Sequence, residues 1–242
     1  MKNIALITAK GNNQSLKNKN LIEIEGKSFL GWQISAAKLA SSIDEVFISS
    51  ECPAILEEAQ KYGINIIKRP EYLARADTNH GDVIIHGVQE VRKIIADIGI
   101  VVILLGNTIS VRPYDIDKVV SALNDDRDAT SCMTVWKAQD DHPYRAMRIN
   151  DDSYLESFMD NKSIDTNRQS YPDIFFYDQG PWAVKYSTLV NAQAERSGPS
   201  CWWWMGDKCI PIIRNWVTGR DIHDKLDVEM SRLYLKEQLW DL

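Results

Sequence analysis

Gly99, Ile100, Val101, Val102, Ile103, Leu104 and Leu105 form a run with no polar side chain. A strand with one solvated face alternates; a strand apolar at every position is buried on both faces, as in a parallel sheet covered by helices on each side. Working outward, the run follows the amphipathic stretch Gly81–Ile98 and precedes helical spacing over Asp115–Leu123. Toward the N-terminus, Ile4–Thr8, Glu45–Ser49 and Asn65–Lys68 read as short strands, with helices at Phe29–Ala40 and Pro53–Tyr62 between them. Toward the C-terminus, strands are expected at Ala129–Val135 and Phe175–Val184, and a closing helix at Val228–Leu239. This alternation predicts one doubly wound, mostly parallel α/β sheet. Right-handed crossovers then bring the strand C-termini to one edge, where ligands bind.

Composition narrows the classes. A chain of 242 residues with 44% hydrophobic and 26% charged side chains is long enough to bury about 70% of its unfolded surface in one core. A formal net charge of -6 argues against a dedicated nucleic-acid binder but leaves room for a local basic pocket. No apolar stretch reaches the roughly 20 residues that span a bilayer. Cys52, Cys132, Cys201 and Cys209 are scattered without a CxxC spacing, so reduced thiols and a soluble, cytoplasmic protein are expected, with no membrane or nucleic-acid partner. From Ala138 to Asp178 the pattern turns polar and irregular. A stretch that long without regular structure packs on something, as an arm to a partner subunit or a flap over the site.

The loop after the first strand, from Thr8 to Asn20, holds Ala9 and Gly11 beside Lys10, Lys17 and Lys19. Small residues let backbone N–H groups approach an anion, and the lysines add charge suited to a triphosphate. Composition alone favours a solvated surface loop, and neither a Walker A nor a dinucleotide spacing is present.

Ile7–Lys10, Gly11, Lys17-Asn18-Lys19-Asn20, Gly26-Lys27 and Phe29-Leu30 resemble the opening of the acylneuraminate cytidylyltransferases, the CMP-sialic acid synthetases. Arg69-Pro70, Leu73-Ala74, Asp82–His86, Thr108, Arg112, Asp117, Arg168-Gln169, Pro172, Gly180, Asp221-Ile222 and Asp227 follow in the family's order along nearly the whole chain. The resemblance implies a Rossmann-like nucleotidyltransferase fold in a single domain, whose stretch 138–178 forms a dimerisation and acceptor-site arm. It implies CMP transfer from CTP to an acidic sugar of the nonulosonic type, with Mg2+, release of pyrophosphate, and a homodimer, in surface glycan synthesis. Carried onto these positions, nucleotide binding falls to Ala9, Lys10, Gly11, Lys19, Asn20, Arg69 and His80, with Asn20 facing the cytosine edge. Catalytic roles fall to Lys10, Lys19 and Asp221, and acceptor binding to Gly106, Asn107, Arg168 and Gln169. Metal binding falls to Asp221, with Asp224 as the nearest spare carboxylate.

The departures are informative. Gln14 replaces a loop lysine, His80 a serine, and Asp221-Ile222-His223 an Asp-x-Asp. Histidine is a poor magnesium ligand, which keeps open a catalytically weakened nucleotide-binding homologue. Gly106-Asn107 stand where the family has Gln-Pro, its Gln contacting the sugar. A changed acceptor is therefore expected, either a modified nonulosonic acid or a non-sugar acid such as a phosphonate. Trp202, Trp203 and Trp204 have no family counterpart. As a strand they would put Trp202 and Trp204 on one face; such clusters usually pack in a core or a subunit interface, the alternative being a stacking wall for the acceptor.

Overall fold

The computed structural model describes residues 1–11, 16–159, 166–199, 201–219 and 222–237. In chain order the strands are β1 (Lys2–Thr8), β2 (Glu23–Ile24), β3 (Lys27–Ser28), β4 (Glu45–Ser50), β5 (Asn65–Lys68) and β6 (Ile98–Leu105). They continue with β7 (Ser131–Lys137), β8 (Met147–Ile149), β9 (Leu155–Ser157), β10 (Phe175–Lys185) and β11 (Cys209–Arg214). The helices are α1 (Phe29–Leu39), α2 (Pro53–Gln60), α3 (His80–Arg92), α4 (Pro113–Asp125), α5 (Tyr186–Asn191) and α6 (Lys225–Glu237).

The apolar run lies in β6, the middle strand of a seven-stranded sheet ordered β11-β7-β10-β6-β1-β4-β5. β6, β1, β4 and β5 run parallel, as does the pair β7 and β11. β10 is antiparallel to both of its neighbours, β6 and β7. Along β1, Ala5 and Ile7 pack with Leu30, Ile55 and Ile116 under α1, α2 and α4. Ile4 and Leu6 pack on the other face with Ile84, Val88 and Leu189 from α3 and α5. Each fully buried aliphatic side chain of this kind contributes roughly 1.5–3 kcal/mol. A third cluster joins Ile24 and Phe29 to Ile222 and Tyr234 beneath α6.

Several boundaries differ from expectation. The helix read as Gly81–Ile98 ends at Arg92, because Ile98 is claimed by the sheet, opposite Lys2 of β1. The strand read as Ala129–Val135 runs from Ser131 to Lys137, in register with β11. The tryptophan run is a turn rather than a strand. Its Trp202 N–H donates to the Pro199 carbonyl and its Met205 N–H to that of Trp202. The polar excursion leaves the sheet at Ala138, whose N–H donates to the Ile174 carbonyl. It carries the two-stranded ribbon β8–β9, on which Met147, Ile149 and Leu155 are 65–71% exposed.

Candidate active site

β1 lies between β4 and β6: the chain leaves it through α1 to β4 on one side and returns from β5 through α3 to β6 on the other, so a crevice opens above the C-terminal ends of β1 and β6. A cavity of about 470 Å3 occupies that edge, and its lining includes Ala9, Lys10, Lys19, Asn20, Arg69, Arg75, His80 and Asn107. Lys10, Lys19, Arg69 and Arg75 bring positive charge to it, and among the described residues no carboxylate lines it. The N-terminus of α3 (Asn79, His80, Gly81) forms part of the wall, adding the partial positive charge of a helix start. Such a lining suits a polyanion.

The backbone around Lys10 is held from three directions. Arg69 Nη2 donates to the Ala9 carbonyl at 2.7 Å. Asn20 Nδ2 donates to the Lys10 carbonyl at 2.8 Å. Gly11 N donates to Glu51 Oε1 at 2.7 Å. Glu51 Oε2 in turn pairs with Arg69, whose side chain is only 4% exposed. Burial alone would raise the Glu51 carboxyl, but hydrogen bonds from Arg69 and the Gly11 N–H hold it below the usual carboxylate range. Gly11 permits this approach, since a Cβ there would stand 2.4 Å from Cys52 Cβ. Its N–H is therefore committed to Glu51, and the charge of the loop comes from its lysines. Lys19 Nζ donates to the Ile222 carbonyl at 3.0 Å, and Ile222 N donates to the Asn107 carbonyl, joining the first loop, the end of β6 and the segment before α6.

His80 Nε2 lies 2.9 Å from Thr8 Oγ1, and its ring meets Trp182 edge-on at 6.2 Å. The ring is enclosed even though part of the residue's surface stays accessible at the cavity. Burial, and secondarily the Arg69 charge, push its pKa down to about 4, so the imidazole is neutral at physiological pH.

The opposite wall is aromatic, formed by Tyr177, Trp182, Trp202 and Trp204. Trp204 is 1% exposed and belongs to the core, whereas Trp202 meets Tyr177 at 4.2 Å between centroids with the rings tilted by 58°. The run thus serves both the core and the wall, through a turn that aims neighbouring indoles differently. Tyr177 and Trp182 flank a register shift in β10. Within it Asp178 accepts from Thr134 Oγ1 and Gly180 N and pairs with Arg214 at 3.2 Å. Burial raises the Asp178 carboxyl to about 6, against the opposing pull of Arg214.

Ala9, Lys10, Lys19, Asn20, Arg69, His80 and Asn107 are thus brought together, with Gly11 directly behind them. Arg168 and Gln169 are not: they sit on an exposed turn of the arm, where Arg168 pairs with Asp140 at 3.1 Å. Gly106 is a packing position, since a Cβ there would lie 2.9 Å from Ala9 Cβ and 3.4 Å from Asn20 Oδ1. Asp224 caps α6, accepting from Leu226 N and Asp227 N. Asp221 and Gln14 lie outside the described residues, among which no cluster of three metal-binding side chains occurs. Sequence reasoning missed Thr8, Glu51, Arg75, Tyr177 and Gln179. Arg75 stands directly after Leu73-Ala74 and Thr8 opens the loop after β1, whereas Glu51, Tyr177 and Gln179 carry no local signal.

A family model described as "Cytidylyltransferase" matches residues 4–174. A pseudaminic acid cytidylyltransferase of Campylobacter jejuni is 38% identical over 63 residues, which is 26% of this chain and 27% of that one. A Helicobacter pylori protein named pseudaminic acid cytidylyltransferase and UDP-2,4-diacetamido-2,4,6-trideoxy-beta-L-altropyranose hydrolase is 33% identical over 75 residues, 31% of this chain and 14% of that one. The chain therefore aligns with about a quarter or less of the length of these curated relatives. The structure of a CMP:2-keto-3-deoxy-manno-octonic acid synthetase complexed with CTP superposes with a TM-score of 0.70. It is 15% identical and covers 99% of this chain and 100% of that one. A 4-diphosphocytidyl-2C-methyl-D-erythritol synthase of Anaerococcus prevotii gives 0.65 at 18% identity, covering 97% and 96%. These two establish a shared fold.

Proposed function

Because the chain belongs to the cytidylyltransferase family, we propose that it transfers CMP from CTP to an acidic sugar, for surface glycan synthesis. The observation that carries this reading is the cavity over β1 and β6, with Lys10, Lys19, Arg69 and Arg75 in its wall and no carboxylate among its described residues. In the reaction, an acceptor hydroxyl oxygen bonds to the α-phosphorus, the bond from that phosphorus to the bridging oxygen breaks, and pyrophosphate leaves. The hydroxyl proton passes to solvent. Fixed cations beside the triphosphate withdraw charge as the leaving group departs, with no reorganisation cost at that moment. Lys10 and Lys19 are assigned that role, and Asn20, Arg69 and the neutral His80 the base and ribose.

The described lining does not make a cation site by itself. Magnesium would enter on the triphosphate and add positive charge there, with Asp221 as its protein ligand. The acceptor is assigned as a modified nonulosonic acid, nearest in kind to the pseudaminic acid named for the relatives. Arg168 and Gln169 reach an acceptor only across a homodimer, whose contact is assigned to the apolar ribbon β8–β9.

The test is pyrophosphate release from CTP and Mg2+ with a panel of nonulosonic acids and phosphonates, together with calorimetry of CTP against ATP and GTP. Release with a nonulosonic acid and a preference for CTP are expected. Purine nucleotides binding as tightly as CTP, or no release with any acid, would remove the assignment.

A further inference from the structure

Glu51 is absent from the cavity lining, yet its two oxygens act on both sides of Lys10. Oε1 holds Gly11 N directly, and Oε2 holds Arg69, whose Nη2 holds the Ala9 carbonyl. With Asn20 on the Lys10 carbonyl, three consecutive residues of the loop have a backbone polar group fixed by a side chain ten or more residues away. A loop held this way presents its lysine without first losing backbone freedom on binding, an entropic cost that a free loop would bear. The Glu51–Arg69 pair also offsets the Arg69 charge, and Arg75 pairs with Asp77 at 3.4 Å, so that the net attraction for a polyanion rests chiefly on the lysines. A buried ion pair is weak support for stability compared with apolar packing. One that reaches two backbone groups flanking a cavity lysine is suited to orientation.

We propose that Glu51 is a positioning residue, clamping the Ala9–Gly11 backbone so that the Lys10 ammonium meets the triphosphate. The proposal takes its nucleotide from the cytidylyltransferase reading, but the clamp itself is testable without it. In calorimetry with Mg2+, Glu51→Gln is expected to weaken binding of CTP and of inorganic triphosphate at least about tenfold. In a Lys10→Ala background the same change is expected to cost at least threefold less. A Glu51 whose role is structural alone gives the same loss in both backgrounds; that result, or no loss at all, overturns the proposal. If Glu51→Gln does not fold, Glu51→Asp keeps the charge one methylene short and enters the same cycle. A wild-type chain that binds neither CTP nor inorganic triphosphate defeats the cytidylyltransferase reading. Amide hydrogen exchange at Gly11 in the ligand-free chain then decides the clamp. Exchange at least threefold faster in the variant supports it, and a smaller change overturns it.

Discussion

Replacing His80 by Gln should remove a specific part of the acid sensitivity of the fold. In the folded chain His80 stays neutral down to about pH 4, whereas in the unfolded chain it takes up its proton near 6.5. Between those values the unfolded state binds more protons, so stability falls as pH drops through 6.5 and stops falling below about 4. The gap corresponds to about 3 kcal/mol at most, at about 1.36 kcal/mol per pH unit. Asp178 acts in the opposite sense. Its folded carboxyl titrates near 6 rather than 3.8, so it costs stability as pH rises through that window. The two slopes largely cancel in the wild-type chain, and a single pH profile would conceal both. The measurement is therefore a difference: urea unfolding of wild type and His80→Gln at pH 4, 5, 6 and 7. The loss of the Thr8 contact is a constant offset. The stability of the variant relative to wild type should improve by about 3 kcal/mol between pH 7 and pH 4. A difference independent of pH would show that His80 titrates normally and that its enclosure by Thr8 and Trp182 is not as described.

Gly106→Ala places a carbon 2.9 Å from Ala9 Cβ, well inside the contact distance of about 3.5–4.0 Å. It should cost about 1–3 kcal/mol in chemical denaturation, and an unchanged midpoint would mean that the loop yields freely. Asp221→Asn should lower turnover at least about 100-fold while leaving the circular dichroism spectrum intact, since metal-borne charge stabilisation is worth several kcal/mol. Near-normal pyrophosphate release would move the metal elsewhere. The double change Ile149→Asp with Leu155→Asp, on the exposed ribbon, should convert a homodimer into a monomer in light scattering. A wild-type chain already monomeric at micromolar concentration and fully active would end that assignment.

The sheet was legible where burial leaves a mark on composition. Gly99–Leu105 lies within its central strand, and Lys10 and Lys19 were placed by their position after the first strand. Boundaries were less so: Ile94, Ile95 and Ile98 continue a helical period, and only pairing with β1 turns Ile98 into sheet. β11 escaped notice because an edge strand is half exposed and carries Pro211, an unusual residue for a strand. The Trp202–Trp204 run showed aromatic mass without direction, since a turn and a strand distribute the same three indoles differently. The packing role of Gly106 was hidden for a related reason: the neighbour that its missing side chain accommodates is Ala9, almost 100 positions away in sequence. Glu51 had no signature at all, because its significance lies in two backbone groups of a loop that only the fold brings near.

The excursion between β7 and β10 leaves and re-enters the sheet on adjacent antiparallel strands, with Phe175 opposite Lys137 and Ala138 bonded to Ile174. It is therefore a graft on a two-stranded stalk. Its length is a free variable, since each doubling of a loop costs only about 0.6 kcal/mol in closure entropy. Insertions or deletions beyond the stalk leave every register of the seven-stranded sheet intact. Selection can rebuild what the arm touches while the Lys10 loop and the β6 edge stay fixed. The stalk also feeds directly into Tyr177 and Gln179 of the cavity wall, so the strand that carries the arm also carries part of the aromatic side of the cavity. The arm and the aromatic side of the cavity can thus change together, in one short segment, without disturbing the Lys10 loop on the other side.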